Sequence, residues 1–391
     1  MKHSRIGGSA LVAIVGLCAT AYAAVQIQSS STSTATPVQI TAPAATQTSS
    51  AAPMTTAATS TTAAATSRAA TTLVAKPYRG INVSGGEFGG GNAPGKMGTN
   101  YIYPTKAEID YYASLGFTII RVPFMWERIQ PTLNGPLSTN DQKYLRDAVS
   151  YARAKNMKVV LDMHNYGQRA IGSNYQTLAD VGSSQVPVSA LTDAWVKLAS
   201  EYKDGTVWLG LMNEPHTMNA ATWWPRVKQL VKELRAAGLK QRLLVPGTAW
   251  TGAYSWVSSG NAANYTGFSD PLNDYAIEVH QYLDADSSGT TGNCVAGAGA
   301  RVADVINWSK ANGNIRLFMG EMGASSGTQC GIEYRDMINR MEASKVFLGW
   351  TAWGGGTWWN ANYFFRTLTT AWPSTATVTP HMSYLLEYAR K

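Results

Sequence analysis

No apolar run in this 391-residue sequence reaches the roughly 20 residues a bilayer-spanning helix needs. The nearest candidate, Ala10 to Ala19, is far shorter; Lys2 and Arg5 precede it, and Ala21-Tyr22-Ala23 follows with small residues at the two positions a signal peptidase reads. Residues 1–23 are therefore expected to be a signal peptide. The mature protein is expected to be secreted, extracellular or, in a Gram-negative host, periplasmic, with no membrane association after cleavage.

Cysteine is scarce, at three residues, and Cys18 leaves with the signal peptide. Cys294 and Cys330 remain as an even pair in an oxidising compartment, which predicts one disulfide, two buried free thiols being the alternative. Charge of one sign is also lacking. The whole chain carries +8, and removing Lys2 and Arg5 leaves +6. Cations and anions interleave, as in Lys197, Glu201, Lys203 and Asp204, so there is no basic stripe of the kind a nucleic acid requires.

From Val25 to Ala75 aromatic residues are missing altogether and Arg68 is the sole charge. Such a segment cannot bury enough surface to offset its ordering entropy. Residues 24–75 are expected to be a disordered Ser/Thr/Ala/Pro-rich linker with the composition of an O-glycosylated stalk. All thirteen tryptophans fall in residues 76–391, together with every glycine except Gly7, Gly8 and Gly16. This part is expected to be a single folded domain.

Within it, apolar β-rich runs alternate with segments of helical period, the pattern of a parallel sheet buried on both faces. Eight runs can be read: Arg79 to Ser84, Thr118 to Phe124, Lys158 to His164, Val207 to Glu214, Leu243 to Thr248, Tyr275 to Tyr282, Ile315 to Glu321, and Val346 to Trp353. Thr105 to Glu108 has capping-box spacing, Ser138 and Asp141 mark a second helix start, and Pro380 to Arg390 reads as a closing helix. Eight such units predict an α/β fold, a (β/α)8 TIM barrel. The glycines from Gly85 to Gly91 lack the fingerprint of a phosphate-binding loop, which excludes nicotinamide and ATP chemistry.

Parallel barrel strands all end on one face, so polar residues that terminate them converge. Here the runs end in Arg121, in Asp162-Met-His164-Asn165, in Asn213-Glu214-Pro215, in Glu278-Val-His280-Gln-Tyr282, in Gly320-Glu321, and in Trp353. One such residue is ordinary at a strand end. Together they put much polarity into one mouth, which needs a purpose. Two carboxylates beside aromatic walls suit glycosidic bond cleavage, one acting as acid and one as nucleophile or base. Glu214 and Glu321 fit these roles. Asp162 and His164 lack a third nearby ligand, so neither a metal nor a cofactor is called for.

These motifs resemble glycoside hydrolase family 5, over about Lys76 to Lys391. The resemblance rests on Asn213-Glu214-Pro215, His280-Gln-Tyr282 and Gly320-Glu321. It implies Glu214 as acid/base, Glu321 as nucleophile and a retaining outcome. It further implies that Arg121, His164, Asn213, His280, Tyr282 and Trp353 contact or frame the substrate, and Asn165, next to His164 at the same strand end, is expected to join them. Arg121 and Tyr282 would keep Glu321 ionised, while a raised pKa would let Glu214 act as acid.

The opening Arg79-Gly-Ile-Asn-Val-Ser-Gly-Gly-Glu-Phe88 is similar to the fungal and bacterial endoglucanase branch of that family, which points to a β-1,4-glucan polysaccharide as substrate. The enzyme is expected to be a monomer. Mannan, xyloglucan and β-1,3-glucan are the alternatives on the same two glutamates. A catalytically dead carbohydrate-binding barrel would be expected to lack one of them. Of the glycosylation sequons at Asn82, Asn264 and Asn307, the first falls on a barrel strand and is expected to be inaccessible.

Overall fold

The computed structural model describes residues 73–74, 76–172, 174–374 and 378–390. The expected signal peptide lies outside these residues, as does the linker apart from Leu73 and Val74. The described chain begins with β1 (Tyr78–Val83), α1 (Lys106–Ser114), β2 (Ile119–Phe124), α2 (Trp126–Ile129), α3 (Thr139–Arg153) and β3 (Lys158–Met163). It continues through β4 (Gln168–Ile171), β5 (Thr177–Asp180), α4 (Val188–Ala199), β6 (Val207–Gly210), α5 (Ala220–Ala236), β7 (Arg242–Pro246) and α6 (Asn261–Asn264). The last elements are β8 (Tyr275–Tyr282), α7 (Ala303–Ala311), β9 (Leu317–Gly323), α8 (Thr328–Ser344), β10 (Phe347–Gly355) and α9 (Pro380–Ala389).

Strands β1, β2, β3, β6, β7, β8, β9 and β10 pair in parallel in that order and close into a barrel. They coincide with the eight runs read from the sequence. The antiparallel hairpin β4–β5, inserted between β3 and α4, was not among those runs. Its strands have four residues each, too short to show a period against the polar residues around them.

The strand pleat explains how the barrel stacks its interior. Ile119, Val160, Trp208, Leu244, Ala276, Phe318 and Leu348, one from each of seven strands, make an apolar plug near the strand starts. Two residues further along, where a strand faces inward again, stand Arg121, Asp162, Gly210, Glu278 and Gly320. The apolar layer thus carries a polar layer directly above it. The larger outer core lies between barrel and helices, and includes Val122, Leu161, Leu209, Ile277 and Met319 from the opposite strand faces.

The helix starts follow the sequence signals. Thr105 accepts from the Glu108 amide while the Glu108 carboxylate accepts from Thr105 N–H at 2.8 Å, closing the capping box of α1. Ser138 caps α3 through the Asp141 amide, and Thr379 caps α9 through the Met382 amide. A cap of this kind contributes about 1 kcal/mol.

Cys294 and Cys330 form the predicted disulfide, with Cα atoms 5.0 Å apart across 36 residues of sequence. It ties the loop after β8 to the first turn of α8. By loop entropy it contributes roughly 4 kcal/mol. Cys294→Ser with Cys330→Ser is therefore expected to lower the melting temperature by roughly 5–10 °C in a calorimetric scan. An unchanged melting temperature would show that the cross-link does not stabilise the fold.

Candidate active site

Arg121 on β2 is the hub of the polar layer and is fully buried. Its Nε donates to Glu278 Oε1 at 3.1 Å, and its Nη1 donates to Asn82 Oδ1 at 2.9 Å and Glu321 Oε1 at 3.0 Å. Its Nη2 donates to Asn213 Oδ1 at 2.8 Å and lies 3.0 Å from Asp162 Oδ1. Burial works against the guanidinium charge, but Asp162, Glu278 and Glu321 outweigh it and hold Arg121 protonated. In return, Arg121 and His280 overcome the burial of Glu278 and keep its pKa below the ordinary carboxyl value.

Glu321 reaches this hub through an irregularity in β9. Val279 of β8 is level with Met319, yet the next residue, His280, is level with Glu321, so β9 holds one extra residue at Gly320. Such a bulge re-aims the side chain that follows it. Gly320 is also required sterically, because a Cβ there would stand 2.1 Å from Glu278 Oε1. The Gly320 carbonyl is held by Asn82 Nδ2 at 2.8 Å and by Thr351 Oγ1 at 2.6 Å. Glu321 Oε2 then accepts from the Tyr282 hydroxyl at 2.8 Å. Burial and the Glu321 charge raise the Tyr282 pKa well above the ordinary phenol value, so this hydroxyl remains a donor.

Glu214 follows β6 with φ of +41°, in the left-handed region. That backbone costs on the order of 1–3 kcal/mol and must be held by its surroundings. Asn213 N–H donates to Met163 O at 2.8 Å, Trp250 N–H donates to Pro215 O at 3.2 Å, and His216 Nδ1 lies 3.0 Å from Glu214 O. The side chain of Glu214 meets His280 Nδ1 at 2.7 Å. Burial opposes a charge on His280, but Glu321, Glu214 and Glu278 together push its pKa up to about 10. His280 is therefore an imidazolium donating to Glu214. The interacting atoms of Glu214, His280 and Glu321 all lie within 4.8 Å of one another.

On the other side, His164 Nδ1 pairs with Asp162 Oδ2 at 2.7 Å, which leaves Nε2 to accept from Asn213 Nδ2 at 3.1 Å. Trp353 at the end of β10 stacks on His164, with ring centres 5.6 Å apart. Arg121, His164, Asn213, Glu214, His280, Tyr282, Glu321 and Trp353 thus share one mouth. Asn165 stands apart from it. Its Oδ1 accepts from Trp126 N–H at 2.7 Å and its Nδ2 donates to Glu127 at 2.8 Å, so its amide is engaged at the start of α2.

The sequence over residues 79–362 matches the family model described as cellulase, glycosyl hydrolase family 5. The chain belongs to that family. Among relatives of this glycoside hydrolase, Endoglucanase 1 of Robillarda sp. is 33% identical over 307 residues, covering 73% of this chain and 79% of that one. A crystal structure of an endo-beta-1,4-glucanase from Xanthomonas axonopodis pv. citri superposes with a TM-score of 0.75 at 37% identity, covering 81% of this chain and 99% of that one. XacCel5A in complex with cellopentaose gives 0.74 at 36% identity, covering 80% and 98%.

Aromatic rings extend from this family 5 site in two directions. One path runs from Trp353 and His164 to Tyr166, then His216, then Trp250, whose ring lies parallel to that of His216 at 4.7 Å and is 54% exposed. The other runs from Trp353 to Trp359 at 5.7 Å and on to Phe88 at 4.7 Å. Elsewhere in the domain Trp126 and Trp256 are core and Trp358 is exposed.

Reading strand ends missed the parts played by Asn82 and Glu278. The signal was present, since Glu278, His280 and Tyr282 are two apart and share the inner face of β8. Asn82 is buried against Arg121, as expected for a sequon on a barrel strand. Among the described residues no helix is long and apolar enough to cross a membrane.

Proposed function

We propose that the chain is a retaining endo-1,4-β-glucanase with Glu321 as nucleophile and Glu214 as acid/base. The observation that carries this reading is the closeness of the two carboxyl groups, one oxygen of Glu214 lying within 4.8 Å of one oxygen of Glu321. Retaining glycosidases hold them roughly 5–5.5 Å apart, whereas inverting ones leave about 6.5–9.5 Å for a water. In the first step Glu321 attacks the anomeric carbon as the bond to the leaving oxygen breaks, and Glu214 protonates that oxygen. In the second step Glu214 takes a proton from water, which displaces Glu321 and restores the β configuration.

The surroundings support these roles. Arg121 and Tyr282 orient the Glu321 carboxylate from two directions. His280 Nδ1, 2.7 Å from Glu214 Oε1, orients the Glu214 carboxyl group. Asn213, already fixed by Arg121 and His164, is positioned to donate to the sugar 2-hydroxyl, a bond that strengthens in the oxocarbenium-like transition state. Aromatic rings on both sides of the glutamates suit an internal stretch of polymer. Likeness to a structure holding cellopentaose supports a β-1,4-glucan as the substrate.

Residues 1–23 as a signal peptide and 24–75 as a linker complete the reading, giving a secreted enzyme with its catalytic barrel in 76–391. Amino-terminal sequencing of secreted protein would find Ala24 first. Activity is tested on carboxymethyl cellulose, β-mannan, xyloglucan and laminarin in parallel, following viscosity and reducing ends. A rapid viscosity fall on carboxymethyl cellulose is expected. Dominant activity on another polymer would overturn the substrate assignment, and silence on all four would overturn the enzymatic one.

A further inference from the structure

The Tyr282 hydroxyl that meets Glu321 Oε2 belongs to a ring held from outside its own strand. Tyr282 closes β8, and its ring stacks on Phe365 with centres 5.5 Å apart. Gly289, from the loop that follows β8, also lies against this ring. A Cβ at Gly289 would stand 2.8 Å from Tyr282 Cγ and Cδ1 and 3.0 Å from Cδ2. Such nearly equal distances to three ring atoms put it over the face of the ring, not at its edge. Gly289 has φ of +71°, in the region that favours glycine. The backbone can approach the phenol this closely because position 289 has no side chain.

Apolar packing does not explain why the loop stays there. Residues 285–291 contain no large apolar side chain, and each is exposed or half-buried. The buried Asp284 holds them instead. Its Oδ1 accepts from Gly289 N–H at 3.1 Å, and its Oδ2 accepts from the Ser288 hydroxyl at 3.1 Å and Thr291 N–H at 3.4 Å. Hydrogen bonds to an ionised carboxylate are among the strong ones. The ends of the loop are fixed separately. Arg301 donates to Asp284 O at 2.6 Å, Ser287 Oγ at 2.7 Å and Ala285 O at 3.0 Å, and Cys294 is tied to α8 by the disulfide. Deleting the Asp284 carboxylate therefore releases the middle of the loop, where Gly289 lies, and leaves both ends in place.

We propose that Asp284 is a positioning residue for the nucleophile: by holding Gly289 against the ring of Tyr282 it keeps the Tyr282 hydroxyl on Glu321 Oε2. The line of contacts runs from the Asp284 carboxylate through Gly289 N–H to the phenol, and from its hydroxyl to Glu321 at 2.8 Å. Attack on the anomeric carbon needs the carboxylate oxygen held in line, and a shift of about 1 Å in such a group can cost on the order of 100-fold in rate. This assignment rests on the β-glucanase reading with Glu321 as nucleophile.

The test is a double-mutant cycle with Tyr282→Phe, read as kcat/KM on an aryl β-cellobioside. Asp284→Ala is expected to lower kcat/KM about 10-fold, the lower end for losing a hydrogen bond to a charged group. Asp284→Asn keeps an acceptor for Gly289 N–H and should lose less. In Tyr282→Phe the hydroxyl is already gone, so adding Asp284→Ala should cost less than about twofold more. An unchanged kcat/KM in Asp284→Ala would overturn the proposal. So would the full 10-fold loss appearing again in the Tyr282→Phe background, because independent losses multiply and Asp284 would then only support the fold. Gly289→Ala and Gly297→Ala separate ring contact from backbone strain. Their φ values are +71° and +80°, yet a Cβ at Gly297 would meet nothing within 4 Å. Only Gly289→Ala is expected to lower kcat/KM, and equal values in the two variants would contradict the ring contact. Should Asp284→Ala fail to fold, Asp284→Asn and Gly289→Ala decide in the same cycle. Failure of the wild type on both the cellobioside and carboxymethyl cellulose would instead reject the underlying function, and this assignment with it.

Discussion

Glu321→Ala is expected to abolish turnover, with kcat reduced on the order of 10^5-fold, because removing a nucleophile leaves no route to the covalent intermediate. The methyl group leaves space beside the anomeric carbon on the face Glu321 occupied. Azide can enter there and attack once, giving a glycosyl azide of inverted configuration. The companion Glu214→Ala behaves differently. With an activated aryl leaving group, protonation is not needed for the first step, so glycosylation continues and the second step stalls for want of a base. Azide then attacks the intermediate and yields the azide of retained configuration. Opposite products from the two variants assign the two roles without reference to rates. Equal products, or substantial activity of Glu321→Ala without azide, would remove Glu321 from the nucleophile's place.

Arg121→Ala is expected to cost both activity and fold stability. The side chain spends three nitrogens on five partners, three of them carboxylates, in a site where Arg121, Asp162 and Glu278 are almost wholly closed to solvent. Removing the cation leaves Asp162, Glu278 and Glu321 facing one another, offset by His280. Breaking a buried ion pair by deleting one partner destabilises by about 3–5 kcal/mol. A denaturant titration should show that loss, with no detectable hydrolysis. Arg121→Lys should recover part of the stability and little activity, since one ammonium cannot reproduce the planar fork that reaches Asn82, Glu321 and Asn213 together. Full activity in Arg121→Lys would mean that charge alone, without the fork, aligns the nucleophile.

Much of this site can be read from the chain because of what a barrel strand is. Buried on both faces, each strand appears as an apolar run, and its polar end is conspicuous against that run. Arg121, Glu214, His280 and Glu321 were found this way. The hairpin β4–β5 escaped because its strands are short and polar at their ends. Asn165 follows His164 directly, so sequence proximity placed it in the mouth, whereas its side chain turns toward α2. The β9 bulge is also hidden in the sequence. A regular β9 would point Glu321 to the opposite face from Phe318 plus two, and only the extra residue at Gly320 brings the carboxylate inward.

The central claim is a double displacement between two glutamates, and the configuration of the first product tests it most directly. Wild-type enzyme is mixed with cellopentaose in an NMR tube, and the anomeric protons of the new reducing ends are followed before mutarotation. The β anomer should appear first and the α anomer only later, at the rate of spontaneous equilibration. First appearance of the α anomer would show single displacement by water and would contradict the assignment of Glu321 as nucleophile.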